Sequence, residues 1–197
     1  MITFSNLENK PSSLLELYYL KAVHAGQQNP DAMCISSINK KNSTPHSRFV
    51  NLKYSNGNEL IFFSNYQSNK AKQFDSCNSV SCLFFWQTIG IQIRIRGTIR
   101  KTSSAISDKH FALRSEEKNA LAISSNQSSV ISSFDEVKKN FNNALNNANL
   151  LKRPDNWGGY SVEPNYFEFW EAGTNRLNKR EQFELHSNDW VYSILEP

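Results

Sequence analysis

The stretch IQIRIRGTI, residues 91–99, alternates without exception at its start: Ile91, Ile93 and Ile95 fall on one side of an extended chain, and Gln92, Arg94 and Arg96 on the other. A period of two is the signature of a β-strand with one buried face. The isoleucines are therefore expected in a core, and the opposite side is expected to be wet or functional. Upstream lie four more short runs rich in β-branched and aromatic residues, AMCISSI (32–38), RFVNLKY (48–54), ELIFFSN (59–65) and VSCLFFW (80–86). Turn-forming stretches such as KKNSTP (40–45) and SNGN (55–58) separate them. After a break at Pro154 and the pair Gly158-Gly159, YSVEPNYFEFW (160–170), EQFELH (181–186) and WVYSIL (190–195) read as closing strands. Many short strands with few helices between them predict a mainly β chain with flanking helices (α+β), built on an antiparallel barrel that is closed or nearly closed.

The helices read from a different period. Residues 12–26 carry Leu14, Leu17 and Tyr18 on one face, with Ser13 and Glu16 at capping-box spacing and Gly26 as a terminator. A short insert is expected at 69–75, a helix at 104–113, and another at 133–149. The last has Ser133 and Glu136 as a capping box and Phe134, Val137, Phe141 and Leu145 as its apolar stripe. The whole chain, 1–197, is expected to form one domain, with 1–30 an N-terminal helical segment and 154–197 a C-terminal set of strands.

Thirteen Phe and a 39% hydrophobic content supply a real core. The N-terminus lacks a basic start followed by an apolar run, and the longest apolar run, Val80 to Trp86, is too short to cross a bilayer. A soluble cytoplasmic protein is the expectation, with no membrane partner. Three cysteines without CxxC spacing and four scattered histidines give no disulfide framework and no local metal motif, so no metal is expected. The net charge of +4 suits an anionic small molecule as well as nucleic acid. With no nucleophile elbow, P-loop, GxGxxG or HExxH present, the common hydrolase, kinase and dinucleotide readings have no support. What remains is cationic and amide side chains on strands. Arg48 and Lys53 lie five residues apart at opposite parity, so they share one cavity only if a twist or bulge intervenes.

Read together, DAMCISSI, RFVNLK, IFFSNYQSNKAKQ, IQIRIRG, NQSS, WGGY and FEFWEAGTNRLNKR occur in the order in which the pyridoxamine 5'-phosphate oxidase family carries them, over 32–197. The chain resembles that family. The resemblance implies an FMN-binding split β-barrel and a homodimer whose C-terminal strands, within 154–197, serve dimerisation and the substrate site. It implies FMN contacts from Arg48, Val50, Asn51, Lys53, Phe63, Ser64, Lys70, Gln92, Gln127, Ser128, Trp170 and Arg180, with Asn69 standing where the family's phosphate-binding turn has an Arg. It implies that a phosphorylated small molecule is gripped by Lys53, His110, Arg114, Lys118, Arg176 and Asn178, the last two nearest the chemistry. The activity implied is oxidation of pyridoxamine or pyridoxine 5'-phosphate to pyridoxal 5'-phosphate with O2 as acceptor.

The sequence departs from the pattern around the substrate. His110 and Lys118 replace a Tyr and a Ser, Asn178 replaces a His, EEKNALAIS (116–124) replaces a loop bearing Gly and Trp, and residues 1–11 do not match the family's N-terminal lid. If one helix carries them, His110, Arg114 and Lys118 form an i, i+4, i+8 cationic row. Two alternatives follow: a related flavin enzyme with another substrate, as in phenazine biosynthesis, or a nucleic-acid-binding barrel using Arg94, Arg96, Arg100 and Lys101.

Overall fold

The computed structural model describes all 197 residues. Its strands are β1 (Thr3–Ser5), β2 (Ala32–Asn39), β3 (Thr44–Asn56), β4 (Glu59–Asn65), β5 (Ser79–Trp86), β6 (Ile91–Lys101), β7 (Trp157–Glu171), β8 (Lys179–His186) and β9 (Asp189–Leu195). Its helices are α1 (Lys10–His24), α2 (Asn69–Ser76), α3 (Ser104–Ala112), α4 (Glu116–Ser124) and α5 (Phe134–Asn147). None is long and apolar enough to cross a membrane.

Six strands close a circuit. β3 pairs with β2, β2 with β5, β5 with β6, β6 with β7, β7 with β4, and β4 returns to β3, every pair antiparallel. The fifteen-residue β7 splits the barrel. Its first half pairs with β4, from Trp157↔Asn65 to Val162↔Leu60, and its second half pairs with β8, from Tyr166↔Glu184 to Glu171↔Lys179. β8 and β9 thus leave the barrel as a ribbon. A bulge permits the bend: opposite Arg96 and Gly97, β7 runs from Tyr166 to Pro164 with Asn165 unpaired. A Cβ on Gly97 would lie 2.3 Å from the Glu163 carbonyl oxygen, so only glycine fits there.

Inside, the alternation of 91–99 does what its period requires. Ile91, Ile93 and Ile95 are buried, while Arg94 and Arg96 are exposed. They pack with Met33, Ile35, Leu52, Phe62, Phe84 and Phe167, and α1 covers one end of this core with Leu15 and Tyr19.

Several helical expectations change. α1 starts at Lys10 and is capped by Asn9, whose carboxamide oxygen accepts from the Ser12 N–H at 2.8 Å, not by Ser13. Pro11 in the first turn fixes that start, because its missing N–H costs nothing there. Ser13 instead returns its hydroxyl to the Asn9 carbonyl. α5 is capped by Ser133, which accepts from the Glu136 N–H at 3.1 Å, but the Glu136 carboxylate turns to Ser132. Phe134 is 72% exposed and drops out of the expected stripe. α4, over residues read as a loop replacement, is a full helix.

Candidate functional site

At one end of the barrel a cavity of about 790 Å³ opens between β3, β4, α2 and the loop after α4. Arg48, Lys41, Lys70 and Lys72 line it, together with His46, and no Asp or Glu does. Lys70 owes its position to the start of α2. Ser68 caps that helix, placing Lys70 in its first turn with Nζ 2.9 Å from Ser64 Oγ, 3.3 Å from Ser68 Oγ and 2.9 Å from Gln127 Oε1. All three partners are neutral oxygens. Burial, and then the nearby charge of Arg48, pull the Lys70 ammonium down to about 8. Arg48 donates to Ser37 Oγ at 2.8 Å, to the Ile35 carbonyl at 3.2 Å and to Gln73 Oε1 at 2.5 Å, and burial lowers its pKa as well. Two cations therefore share a half-buried recess with no counter-ion, an arrangement that an incoming anion relieves. Val50, Phe63 and Ser128 complete the wall, and Ser128 holds a left-handed φ of 73°. Asn51, the neighbour of Val50, is exposed on the opposite side of β3.

A second cluster lies beside this cavity. Leu52 and Tyr54 on β3 face consecutive residues Phe62 and Ile61 on β4, so Lys53 is the extra residue of a bulge. The bulge does not bring Lys53 to Arg48; its ammonium pairs with Asp31 at 2.8 Å instead. Next along, Tyr54 Oη lies 2.8 Å from His110 Nδ1, and the His110 ring stacks on Phe63 at 3.8 Å and 7°. Phe63 stacks in turn on Trp157, and the Arg114 guanidinium sits over the Trp157 ring at 4.3 Å. Burial, with the charges of Arg114, Lys53 and Lys118, pulls His110 down to about 4. His110 is therefore neutral near pH 7. The expected cationic row is not one helix: α3 ends at Ala112 and α4 begins at Glu116, with Arg114 in the turn between them. Lys118 is exposed, and its carbonyl accepts from Arg114 Nη2 at 2.6 Å. Arg114 Nη1 is buried without a partner, and burial brings this guanidinium down to about 10.

The double glycine at the head of β7 has a steric cause. A Cβ on Gly158 would lie 2.2 Å from the Tyr66 hydroxyl, and one on Gly159 would lie 2.4 Å from Thr102 Oγ1. Ser107 Oγ accepts from the Gly159 N–H at 3.0 Å, which ties α3 and the strand together behind Phe63.

The third cluster is on the outer sheet face. Gln92, Trp170 and Arg180 form one cross-strand row over β6, β7 and β8. Below it sits a residue that the sequence reading missed. Glu168, 2% exposed, accepts from Arg180 Nε at 2.9 Å, from the Tyr166 hydroxyl at 2.9 Å and from Arg94 Nη1 at 3.4 Å. Its signal was present as the acidic residue between Phe167 and Phe169, directly across from Arg94. Arg94 also donates to Gln92 Oε1 at 2.7 Å. Arg96 pairs with Glu184 and Arg100 with Glu59, so the basic strip proposed for nucleic acid is matched by carboxylates.

Arg176 and Asn178 occupy the β7–β8 loop. Asn175 and Arg176 both take left-handed φ, 55° and 64°, and Gly173 passes so close to the Leu177 carbonyl that a Cβ would lie 2.0 Å from it. Asn178 Oδ1 accepts from the Gly173 N–H at 3.2 Å, closing the loop, while Arg176 is exposed. The loop follows the Glu171 end of β7, whereas the cavity sits at its Gly158 end, paired with Ser64. Thirteen residues of strand, roughly 40 Å at about 3.3 Å each, separate the two ends.

Within one chain, then, Arg48, Val50, Phe63, Ser64, Lys70, Gln127 and Ser128 come together. Lys53, His110 and Arg114 lie alongside, while the Gln92 row and the Arg176–Asn178 loop stand apart. Residues 20–147 match the family model for pyridoxamine 5'-phosphate oxidase, and residues 157–197 match that for the pyridoxine 5'-phosphate oxidase C-terminal dimerisation region. The chain is 37% identical over 189 residues to the pyridoxine/pyridoxamine 5'-phosphate oxidase of Leptospira biflexa, covering 95% of this chain and 89% of that one. It is 33% identical over 192 residues to the enzyme of the same name from Legionella pneumophila, covering 96% and 89%. Among solved structures it is similar to PhzG from Burkholderia lata 383, determined in complex with tetrahydrophenazine-1-carboxylic acid, with a TM-score of 0.91 and 26% identity over 95% of this chain and 93% of that one. An FMN-binding protein from Nostoc punctiforme shares the fold at a TM-score of 0.79 and 13% identity, over 97% of this chain and 100% of that one. The split barrel and the two family matches together place the chain in the pyridoxamine 5'-phosphate oxidase family of flavoprotein oxidoreductases.

Proposed function

We propose that the protein is an FMN-dependent oxidase, working as a homodimer in the cytoplasm, that converts pyridoxine or pyridoxamine 5'-phosphate to pyridoxal 5'-phosphate with O2 as acceptor. The observation that carries this reading is the cation-lined cavity without a carboxylate, which fits a single terminal phosphate monoester held by Arg48, Lys70, Ser64 and Ser128. Arg48, Lys70, Ser64 and Ser128 would hold the flavin by its phosphate, and its ring would supply the electron acceptor for oxidation of the substrate. The C-terminal dimerisation-region match supports the homodimer. Gln92, Trp170 and Arg180 belong with the flavin in this reading, yet none of them lines the cavity in its own chain, so a second copy would bring them. The outer face that carries them also exposes Phe85, paired with Gln92 and 54% exposed, which a partner would cover. Arg114, with its unpartnered Nη1, offers charge to a substrate phosphate, and neutral His110 offers a hydrogen bond only.

A second reading keeps the flavin and changes the substrate. Lys118 is exposed and Lys53 is paired with Asp31, which leaves fewer free cations for a substrate phosphate than the resemblance implies, and the Asn178 Oδ1 is taken by the Gly173 N–H. The test is peroxide release with pyridoxine 5'-phosphate, pyridoxamine 5'-phosphate and unphosphorylated pyridoxine, in the wild type and in Asn178→His. Turnover of a phosphorylated vitamer, raised by Asn178→His, supports the first reading. A flavin-loaded protein that neither binds nor oxidises either vitamer, in both forms, replaces it with the second.

A further inference from the structure

Among the half-buried cations, Arg180 meets Glu168, Lys53 meets Asp31, and Arg153 meets Asp108. Arg48 is different. Its three hydrogen bonds end on two neutral side chains and a backbone carbonyl: Ser37, which is 3% exposed, Gln73, which is 7% exposed, and Ile35. Ser37 also donates its hydroxyl to Gln73 Oε1 at 2.7 Å, so Gln73, Ser37 and Arg48 form a closed triangle.

A guanidinium has five N–H donors. Nη1 spends both of its hydrogens on Ile35 and Ser37, and Nη2 spends one on Gln73. The two that remain, Nε–H and one on Nη2, belong to adjoining nitrogens and match the geometry of a bidentate contact to an anion. Gln73 lies on α2 three residues after Lys70, on the same helix face, so the helix that delivers one cation also braces the other. A carboxylate in place of this carboxamide would accept the same two hydrogen bonds, but its charge would neutralise Arg48 in place.

We infer that Gln73 and Ser37 are positioning residues: an uncharged clamp that fixes Arg48 with one fork free and its full charge available to an anion in the barrel-mouth cavity. The inference rests on the phosphate-binding reading of that cavity, not on the identity of the substrate.

The test compares Gln73→Glu and Gln73→Leu with the wild type, each as the full chain, using inorganic phosphate and FMN as separate probes. Phosphate is followed by thermal shift and FMN by flavin fluorescence quenching. In Gln73→Glu, affinity for both probes should fall about ten- to hundredfold, while the ligand-free melting temperature holds or rises because the introduced carboxylate would pair with Arg48. In Gln73→Leu, the melting temperature should fall and the Arg48 Nη resonances in low-temperature ¹⁵N–¹H spectra, slowed by the clamp in the wild type, should average like those of exposed Arg176. Phosphate and FMN binding within twofold of wild type in Gln73→Glu would overturn the clamp. So would Arg48 resonances in the wild type as mobile as those of Arg176. A wild type that binds phosphate in a Gln73-dependent way but not FMN would leave the clamp standing and remove the flavin reading. A wild type that binds neither would remove both.

Discussion

The barrel-mouth cavity and the outer sheet face hold the same kinds of side chain in opposite electrostatic states. On the face, Arg94 and Arg180 close on Glu168, which is buried among the strands that carry them. At the mouth, Arg48 and Lys70 close on hydroxyl, carbonyl and amide oxygens. Paired charges hold a shape and leave little field for anything else. Unpaired ones hold a field, at a cost that the Lys70 pKa of about 8 makes visible. On the proposed reading, the cations that would hold the phosphate differ from Arg94 and Arg180 in lacking a carboxylate partner, not in carrying charge.

The contrast breaks most easily at Lys70. Lys70→Met should weaken FMN about ten- to hundredfold, read by fluorescence quenching, because one charge-assisted contact to the phosphate is lost. On the face, the corresponding change should act on stability instead. Glu168→Leu removes the carboxylate acceptor of Arg180 and of the Tyr166 hydroxyl, leaving them only the Glu196 carbonyl and Gln182 Oε1, and should cost roughly 2–3 kcal/mol in urea unfolding. An equal loss of stability from Lys70→Met would erase the distinction.

pH sharpens it further. Burial alone would raise the Glu168 carboxyl, but hydrogen bonds from Arg180 and Tyr166 and the charge of Arg94 hold it below its ordinary value. A depressed carboxyl contributes stability above its unfolded pKa of about 4.3 and loses it as pH falls through the folded value. His110 acts in a higher window. Its folded pKa of about 4, set mainly by burial, lies below the unfolded value of about 6.5, so its contribution is complete above pH 6.5 and is lost as pH drops from there toward 4. His110→Phe should flatten the stability profile between pH 6.5 and 4 and leave the part below pH 4 to Glu168; an unchanged slope in that window would contradict a neutral, stacked His110. The smallest effect belongs to Lys118. Exposed and outside the expected row, it should change phosphate-dependent binding by less than about twofold on Lys118→Ala.

The strands were legible because their signal is local: alternation in 91–99 and short apolar runs bounded by turn formers survive any context. β1 was not, since three residues pairing in parallel with Tyr54–Asn56 have no period to read. α4 was missed for a related reason: Ser115 provides no side-chain cap hydrogen bond, and only Asn119, Ala120 and Ala122 are buried, too few for a stripe. The α1 start was misread because Asn9 and Ser13 both look like caps, and only Pro11 chooses between them. At the site, Arg48 and Lys70 stood out by resemblance, but the absence of carboxylates around them is a property of elements far apart in sequence. Glu168 was visible yet unremarkable, one acidic residue in a closing strand, until register placed it opposite Arg94 and beside Arg180.

The claim that the carboxylate-free mouth is a phosphate site is tested most directly by titrating the wild-type protein with FMN and with riboflavin, which differ only in that phosphate, at two salt concentrations. FMN should bind about a hundredfold or more tightly than riboflavin, and the gap should narrow as salt rises. Equal affinities for the two, insensitive to salt, would contradict it.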